Sequence, residues 1–181
     1  MKKIALCLLL VSGLMAAENK DYFGFFAGNA DYRLKTSALG VTTRDNMDDT
    51  HYSFTLGHYY ENSRISGTYT YVDGGVDNFN SNYSFSFAYD FILPVVKDQF
   101  SLYAGPVVGY TRLTDGEINL SGINYGGQAG VIVKVINNIE LEAGYRFVMG
   151  TGNDKVNVSG IDFNLESEYM KTWYAGANIR F

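Results

Sequence analysis

Residues 170–181 read MKTWYAGANIRF. Taking every second position gives Trp173, Ala175, Ala177, Ile179 and Phe181, a set without a charge. The intervening set is Met170, Thr172, Tyr174, Gly176, Asn178 and Arg180. A period of two is the signature of a β-strand with one apolar and one polar face, because successive side chains leave a strand on opposite sides.

The same pattern recurs upstream. Over residues 139–147, Ile139, Leu141, Ala143, Tyr145 and Phe147 oppose Glu140, Glu142, Gly144 and Arg146. Over 123–135, Ile123, Tyr125, Ala129, Val131, Val133 and Val135 oppose Asn124, Gly126, Gln128, Gly130 and Lys134. Over 83–93, Tyr83, Phe85, Phe87, Tyr89, Phe91 and Leu93 oppose Ser84, Ser86, Ala88 and Asp90. Eight strands are expected, over 21–33, 50–61, 64–73, 82–93, 100–112, 122–135, 139–150 and 168–181. The first reads least cleanly, and its inner face is expected to carry Phe23 and Phe25. Pro106 interrupts the fifth and predicts a local bulge.

The connections alternate in length. Residues 61–63, 94–98 and 136–138 make tight turns, whereas 34–49, 74–81, 113–121 and 151–167 are long and polar. The composition agrees with β-structure: 12 Phe, 15 Tyr and 20 Gly accompany only 2 Pro. The N-terminus reads as a removable secretion signal over residues 1–17, with Lys2 and Lys3 ahead of a short apolar run and Ala16 and Ala17 at the expected cleavage position. Residues 18–181 then form one domain. Past the signal no apolar run reaches the ~20 residues of a membrane-spanning helix, so a membrane-spanning form must be a closed barrel that pairs every backbone N–H and C=O.

Several chemistries are disfavoured. The single Cys, Cys7, lies in the leader, which leaves no thiolate for catalysis or metal. Only His51 and His58 carry imidazoles, so neither a cofactor nor a metal centre is expected. Net charge is −5, falling to about −7 without Lys2 and Lys3, which opposes nucleic acid as a partner.

These strands, turns and faces resemble the small eight-stranded outer-membrane barrels, the group that includes the OmpA transmembrane domain and OmpX. The resemblance covers the whole chain after the leader. It implies an all-β, up-and-down antiparallel transmembrane barrel in the bacterial outer membrane, with short turns in the periplasm and four loops outside the cell. Gly176, Ile179 and Phe181 match the C-terminal signal by which the barrel-assembly machinery reads members of this class. No peptidoglycan-binding domain is expected after the barrel.

The interior of an eight-stranded barrel is just wide enough for side chains to fill it. Pairing Val135 with Ile139, and Ile139 with Phe181, would bring Lys134, Glu140 and Arg180 into one ion cluster near the periplasmic end, with Glu142 and Arg146 further up. The leading functional reading is a non-enzymatic structural and surface-interaction protein. Its partners would be outer-membrane lipid and lipopolysaccharide, and a host or envelope ligand held by the loops. A narrow passive porin-like channel is the alternative. A water-soluble barrel that carries a ligand would require the two faces to be exchanged.

Three weaker motifs remain. His51 and Ser53 share a face, so an imidazole could activate a hydroxyl, as in lipid A-modifying barrels. Asp45, Asp48, Asp49 and the stretch 73–82 offer oxygen ligands for divalent ions, although turn chemistry accounts for the same residues. Glu117-Ile118-Asn119-Leu120-Ser121 fits a bacterial glycosylation acceptor at Asn119.

Overall fold

The computed structural model describes residues 20–38, 41–73, 81–97, 99–115, 118–158 and 161–181. The expected secretion leader over 1–17, residues 74–80 of the expected second long connection and Glu117 of the acceptor motif lie outside the described residues. The strands are β1 (Asp21–Ala38), β2 (Val41–Tyr59), β3 (Ser63–Asp73), β4 (Ser81–Val96), β5 (Phe100–Asp115), β6 (Ile118–Ile136), β7 (Ile139–Gly150), β8 (Asn153–Val158) and β9 (Ile161–Arg180). Strands β1 to β7 pair each with the next, β7 pairs with β9, and β9 pairs back onto β1. The result is a closed antiparallel barrel of eight strands. β8 is a ninth, short strand folded onto the first part of β9.

Closure satisfies the backbone, and the side chains then sort by face. Phe85, Val133 and Ile179 stand outward, 44%, 40% and 38% exposed, while Glu142 is 5% exposed inside. Apolar side chains outside and ionised groups inside match a hydrocarbon surround and exclude the ligand carrier with exchanged faces. Aromatic side chains cluster on the outer wall: Tyr145 packs on Trp173 at 4.5 Å and Phe147 lies 5.7 Å from Tyr169. Tyr60 stacks edge-on with His58 at the opposite end, where His58 Nδ1 meets Asp21 at 2.6 Å.

The inner face of β1 is the reverse of the one read from the sequence. Tyr22, Phe26, Ala30 and Tyr32 are buried in the lumen, and Phe25 points out at 61% exposure, with Phe23 on the same outer set. Gly24 and Gly28 lie on the inner set and make room there. Asp31 and Arg33 lie on the outer set far along β1, where the strand has passed the apolar band. Pro106 brings no inserted residue. Ala88 pairs with Val107 and Phe91 with Ala104 in the same register, with Tyr89 and Asp90 left out of the ladder beside Pro106, which lies opposite Gly127 on its other side. The bulges fall instead at Arg33/Leu34, Pro94/Val96 and Lys134/Ile136.

The long polar connections are largely strand. β1 and β2 stay paired out to Ala38 and Val41, β5 and β6 out to Asp115 and Ile118, and β8 and β9 out to Val158 and Ile161. About ten residues cross a ~25 Å apolar band, so strands of 19 and 20 residues project well beyond it. The alternation of oily and polar residues disappears in these segments because water bathes both faces. Backbone pairing persists there without it. Salt bridges lace the projecting sheet: Lys35 to Glu166 at 2.9 Å and Arg44 to Glu168 at 3.1 Å. The Lys35 ammonium holds the Glu166 carboxyl below its ordinary range.

Candidate functional site

Three layers fill the lumen. Furthest from the tight turns is an apolar layer, in which Ala30, Tyr32, Leu34, Val72 and Leu120 pack with Met170. Below it runs an ionic network. At the end bearing the tight turns lies an open vestibule.

The network is organised by Arg64, second residue of β3. Its Nε donates to Asp90 Oδ2 at 2.9 Å, and Nη1 and Nη2 donate to the two oxygens of Glu142 at 2.7 Å each. This is the bidentate guanidinium–carboxylate fork, here with all three side chains no more than 3% exposed. Asn178 Nδ2 donates to Glu142 Oε2 at 2.7 Å, and Gln128 Nε2 donates to both oxygens of Asp90 at 2.9 Å. Gln128 Oε1 in turn accepts from Arg146 Nε and Nη2, and Arg146 Nη1 donates to Ser86 at 3.0 Å. The Arg64 guanidinium lies 4.3 Å from the Tyr103 ring centre and 5.7 Å from that of Tyr22. Every carboxylate thus has a cation or several N–H donors, which is the condition for keeping charge out of bulk water.

Glycine makes the space. A Cβ on Gly144 would collide with the hydroxyls of Tyr103 and Tyr174, which bond each other at 2.7 Å. A Cβ on Gly24 would collide with Asn178. Small residues on one wall therefore admit large polar ones from the other.

The five charged residues expected in the lumen fall at two levels, Lys134, Glu140 and Arg180 nearer the tight turns and Glu142 and Arg146 further up. Glu140 accepts from Arg180 Nη1 at 3.0 Å and from the Tyr59 hydroxyl at 2.7 Å, close to the tight turns. Lys134 lies opposite Glu140 on the ladder, but among the described residues it makes no salt bridge. Glu142 joins Arg64, and Arg146 joins Gln128 and Ser86. The register differs too: Ile139 pairs with Ile179, not Phe181, and with Ile136, because a bulge removes Val135 from the ladder. Arg180 consequently reaches Glu140 diagonally.

Arg64 and Asp90 are the residues a sequence reading overlooks as a pair. Arg64 is read as the first residue of the third strand, but directly after a turn it carries no flanking alternation that marks it as lumenal. A long connection separates β3 from β4, so no turn length sets the Arg64–Asp90 register. The available clue was face: Arg64 shares its strand parity with Ser66, Thr68 and Thr70, all buried.

The other candidates are also placed. His51 is 1% exposed and faces the lumen, and the hydroxyl of Ser53 meets Thr70 at 2.9 Å. Asn119 lies opposite Thr114 in the β5–β6 hairpin. Among the described residues no group of three His, Cys, Asp or Glu is arranged to hold a metal ion. Gly176, Ile179 and Phe181 lie at the turn-bearing end of β9, with Phe181 6.0 Å from Phe23.

Replacing Glu140 by alanine removes one acceptor from Arg180 and one from the Tyr59 hydroxyl, and a double-mutant cycle with Arg180→Ala in urea refolding is expected to give a coupling of about 0.5–2 kcal/mol. A coupling near zero would mean that water already satisfies both groups.

A closed eight-stranded barrel with a sealed polar lumen and an oily wall defines a class: the small outer-membrane β-barrels. Solved structures of that class superpose on this chain. Neisserial surface protein A matches with a TM-score of 0.59 at 18% identity, covering 88% of this chain and 97% of that one. Outer membrane protein H (OprH) of Pseudomonas aeruginosa matches with a TM-score of 0.59 at 22% identity, over 90% and 99%. OprG of Pseudomonas aeruginosa gives 0.61 at 12% identity, over 90% and 96%. At these identities the likeness is one of fold. By sequence, the chain matches no protein-family model and no curated protein.

Proposed function

We propose that the protein is a non-enzymatic outer-membrane barrel whose task is to hold a projecting β-sheet surface outside the cell. The observation that carries this reading is the occluded lumen. Arg64, Glu142 and Asp90 are buried across it a few residues above the tight turns, and the open space beside them amounts to about 30 Å³. That volume accommodates roughly one water, not a solute. The apolar layer closes the far side. A narrow porin-like channel would need this network to part.

The work then falls to the segments beyond the membrane band. β1, β2, β8 and β9 make a salt-bridged sheet there, with Arg33, Lys35, Arg44, Glu166 and Glu168 displayed on strands. A paired sheet presents fixed side chains to a partner at lower ordering cost than an open loop. Lipopolysaccharide, a host surface or another envelope protein are the partners such a surface suits. The barrel-assembly machinery would read Gly176, Ile179 and Phe181 during biogenesis. Burial of His51, and engagement of Ser53 by Thr70, support a non-catalytic reading of that pair.

Refolded full-length protein in planar bilayers is expected to show no stepwise conductance. Reproducible open steps in the wild-type chain, lost on locking Arg64 to Glu142 by a cysteine pair at those positions, would reject this reading in favour of the channel.

A further inference from the structure

The vestibule at the tight-turn end has an open volume of about 320 Å³, at the lower edge of what small-molecule sites occupy. It is blind, because Arg64, Glu142 and Asp90 seal the barrel above it. Its chemistry is two-sided. Ile92, Pro94 and Ile132 contribute an apolar wall, and Tyr59 adds an aromatic one. Lys97, Lys134 and Arg180 bring three cations against the carboxylates of Glu61 and Glu140. Glu140 is taken up by Arg180 and Tyr59 within the floor itself. Among the described residues neither Lys97 nor Lys134 enters a salt bridge. The chain as a whole is acidic, so an excess of cations concentrated in one concave site departs from the background.

We propose that this vestibule is a binding site for a small organic anion, a carboxylate or phosphate carried on an apolar or aromatic body, entering from the periplasm. The anionic group sits between the Lys97 and Lys134 ammoniums, and the body lies along Ile92, Pro94 and Ile132. Tyr59 is fixed by its hydrogen bond to Glu140 and by the Arg180 guanidinium 4.6 Å from its ring centre, so this part of the floor needs no further ordering. Because the cavity is closed above, occupancy is binding and not transit. The inference is separable from the surface role proposed above, since it concerns the opposite end of the barrel.

The test uses full-length refolded protein in lipid nanodiscs, titrated with benzoate, phenyl phosphate, inorganic phosphate and neutral benzyl alcohol, and followed by backbone amide NMR shifts. Benzoate or phenyl phosphate is expected to shift amides of the three tight turns, and the tighter of the two names the anionic group. Benzyl alcohol and inorganic phosphate should each bind about tenfold more weakly, lacking the charge or the body. The double variant Lys97→Gln, Lys134→Gln should lower affinity about tenfold, and Lys97→Arg, Lys134→Arg should retain it. The proposal is overturned if benzyl alcohol binds as well as benzoate, if inorganic phosphate matches phenyl phosphate, if the glutamine variant binds like wild type, or if the shifts map to the outer wall. Conductance is not read in any arm, so failure here leaves the occluded-lumen reading standing, and the reverse.

Discussion

Arg64→Leu is expected to destabilise the barrel by about 3–5 kcal/mol, the cost of leaving buried carboxylates without their cation. Two carboxylates lose their partner at once: Glu142 keeps Asn178 as a donor and Asp90 keeps Gln128. The stacking of the guanidinium on Tyr103 is lost as well. Urea titration in lipid vesicles measures the effect through Trp173, the single tryptophan, which faces lipid at 66% exposure. Adding Glu142→Gln and Asp90→Asn to Arg64→Leu should recover more than half of the loss, because neutral amides need no counter-ion. A single variant within about 1 kcal/mol of wild type would show that water reaches the network and screens it.

Val131→Arg is expected to cost about 2–4 kcal/mol, since Val131 stands on the outer face, five residues from the turn-bearing end of β6 and so near the middle of a band about ten residues deep. Its ladder neighbours are Leu102 and Ala143, both on the outer set. Val131→Leu, which changes size but not charge, should stay within about 0.5 kcal/mol. If arginine at 131 is tolerated as well as leucine, the outer wall is not in hydrocarbon. The sequence alone suggests Gln128→Arg as the mild lumenal counterpart. The structure removes that expectation, because Gln128 links Asp90 to Arg146 and a cation there would face Arg146 directly.

The parts of the fold legible in the chain were those that depend on neighbours in sequence. Alternation over 83–93, 123–135 and 139–147 reveals face, and in each the side buried in the lumen is the polar one that the pattern marks. β1 fails this reading for an identifiable reason. Phe23 and Phe25 sit among Tyr22, Phe26 and Tyr32, so both parities are aromatic and the period carries no contrast. The ends of the strands fail for a related reason. Beyond the apolar band the pairing of β1 with β2 continues through Thr36, Thr42 and Thr43 with no oily face to announce it. A hydropathy reading ends a strand where the membrane ends, whereas the hydrogen-bonded ladder does not.

The ionic network shows the same division. Lys134 opposite Glu140 follows from a short turn, which fixes register locally. Arg64 to Glu142 crosses the lumen from β3 to β7, a contact that no turn length encodes. It requires the curvature of the closed barrel, which sets which inward side chains share a level.

By itself the sequence determined the strand period, the oily and polar faces of most strands, the alternation of tight and long connections, and hence a barrel turned toward lipid. Each is a property of residues a few positions apart, and solvent acts on them directly. Only the tertiary structure decided which charges meet, that the lumen is sealed at Arg64 and open below it, and how far the sheet stands out of the membrane. Those depend on closure, which brings together side chains from β3, β4, β6, β7 and β9 that are distant along the chain.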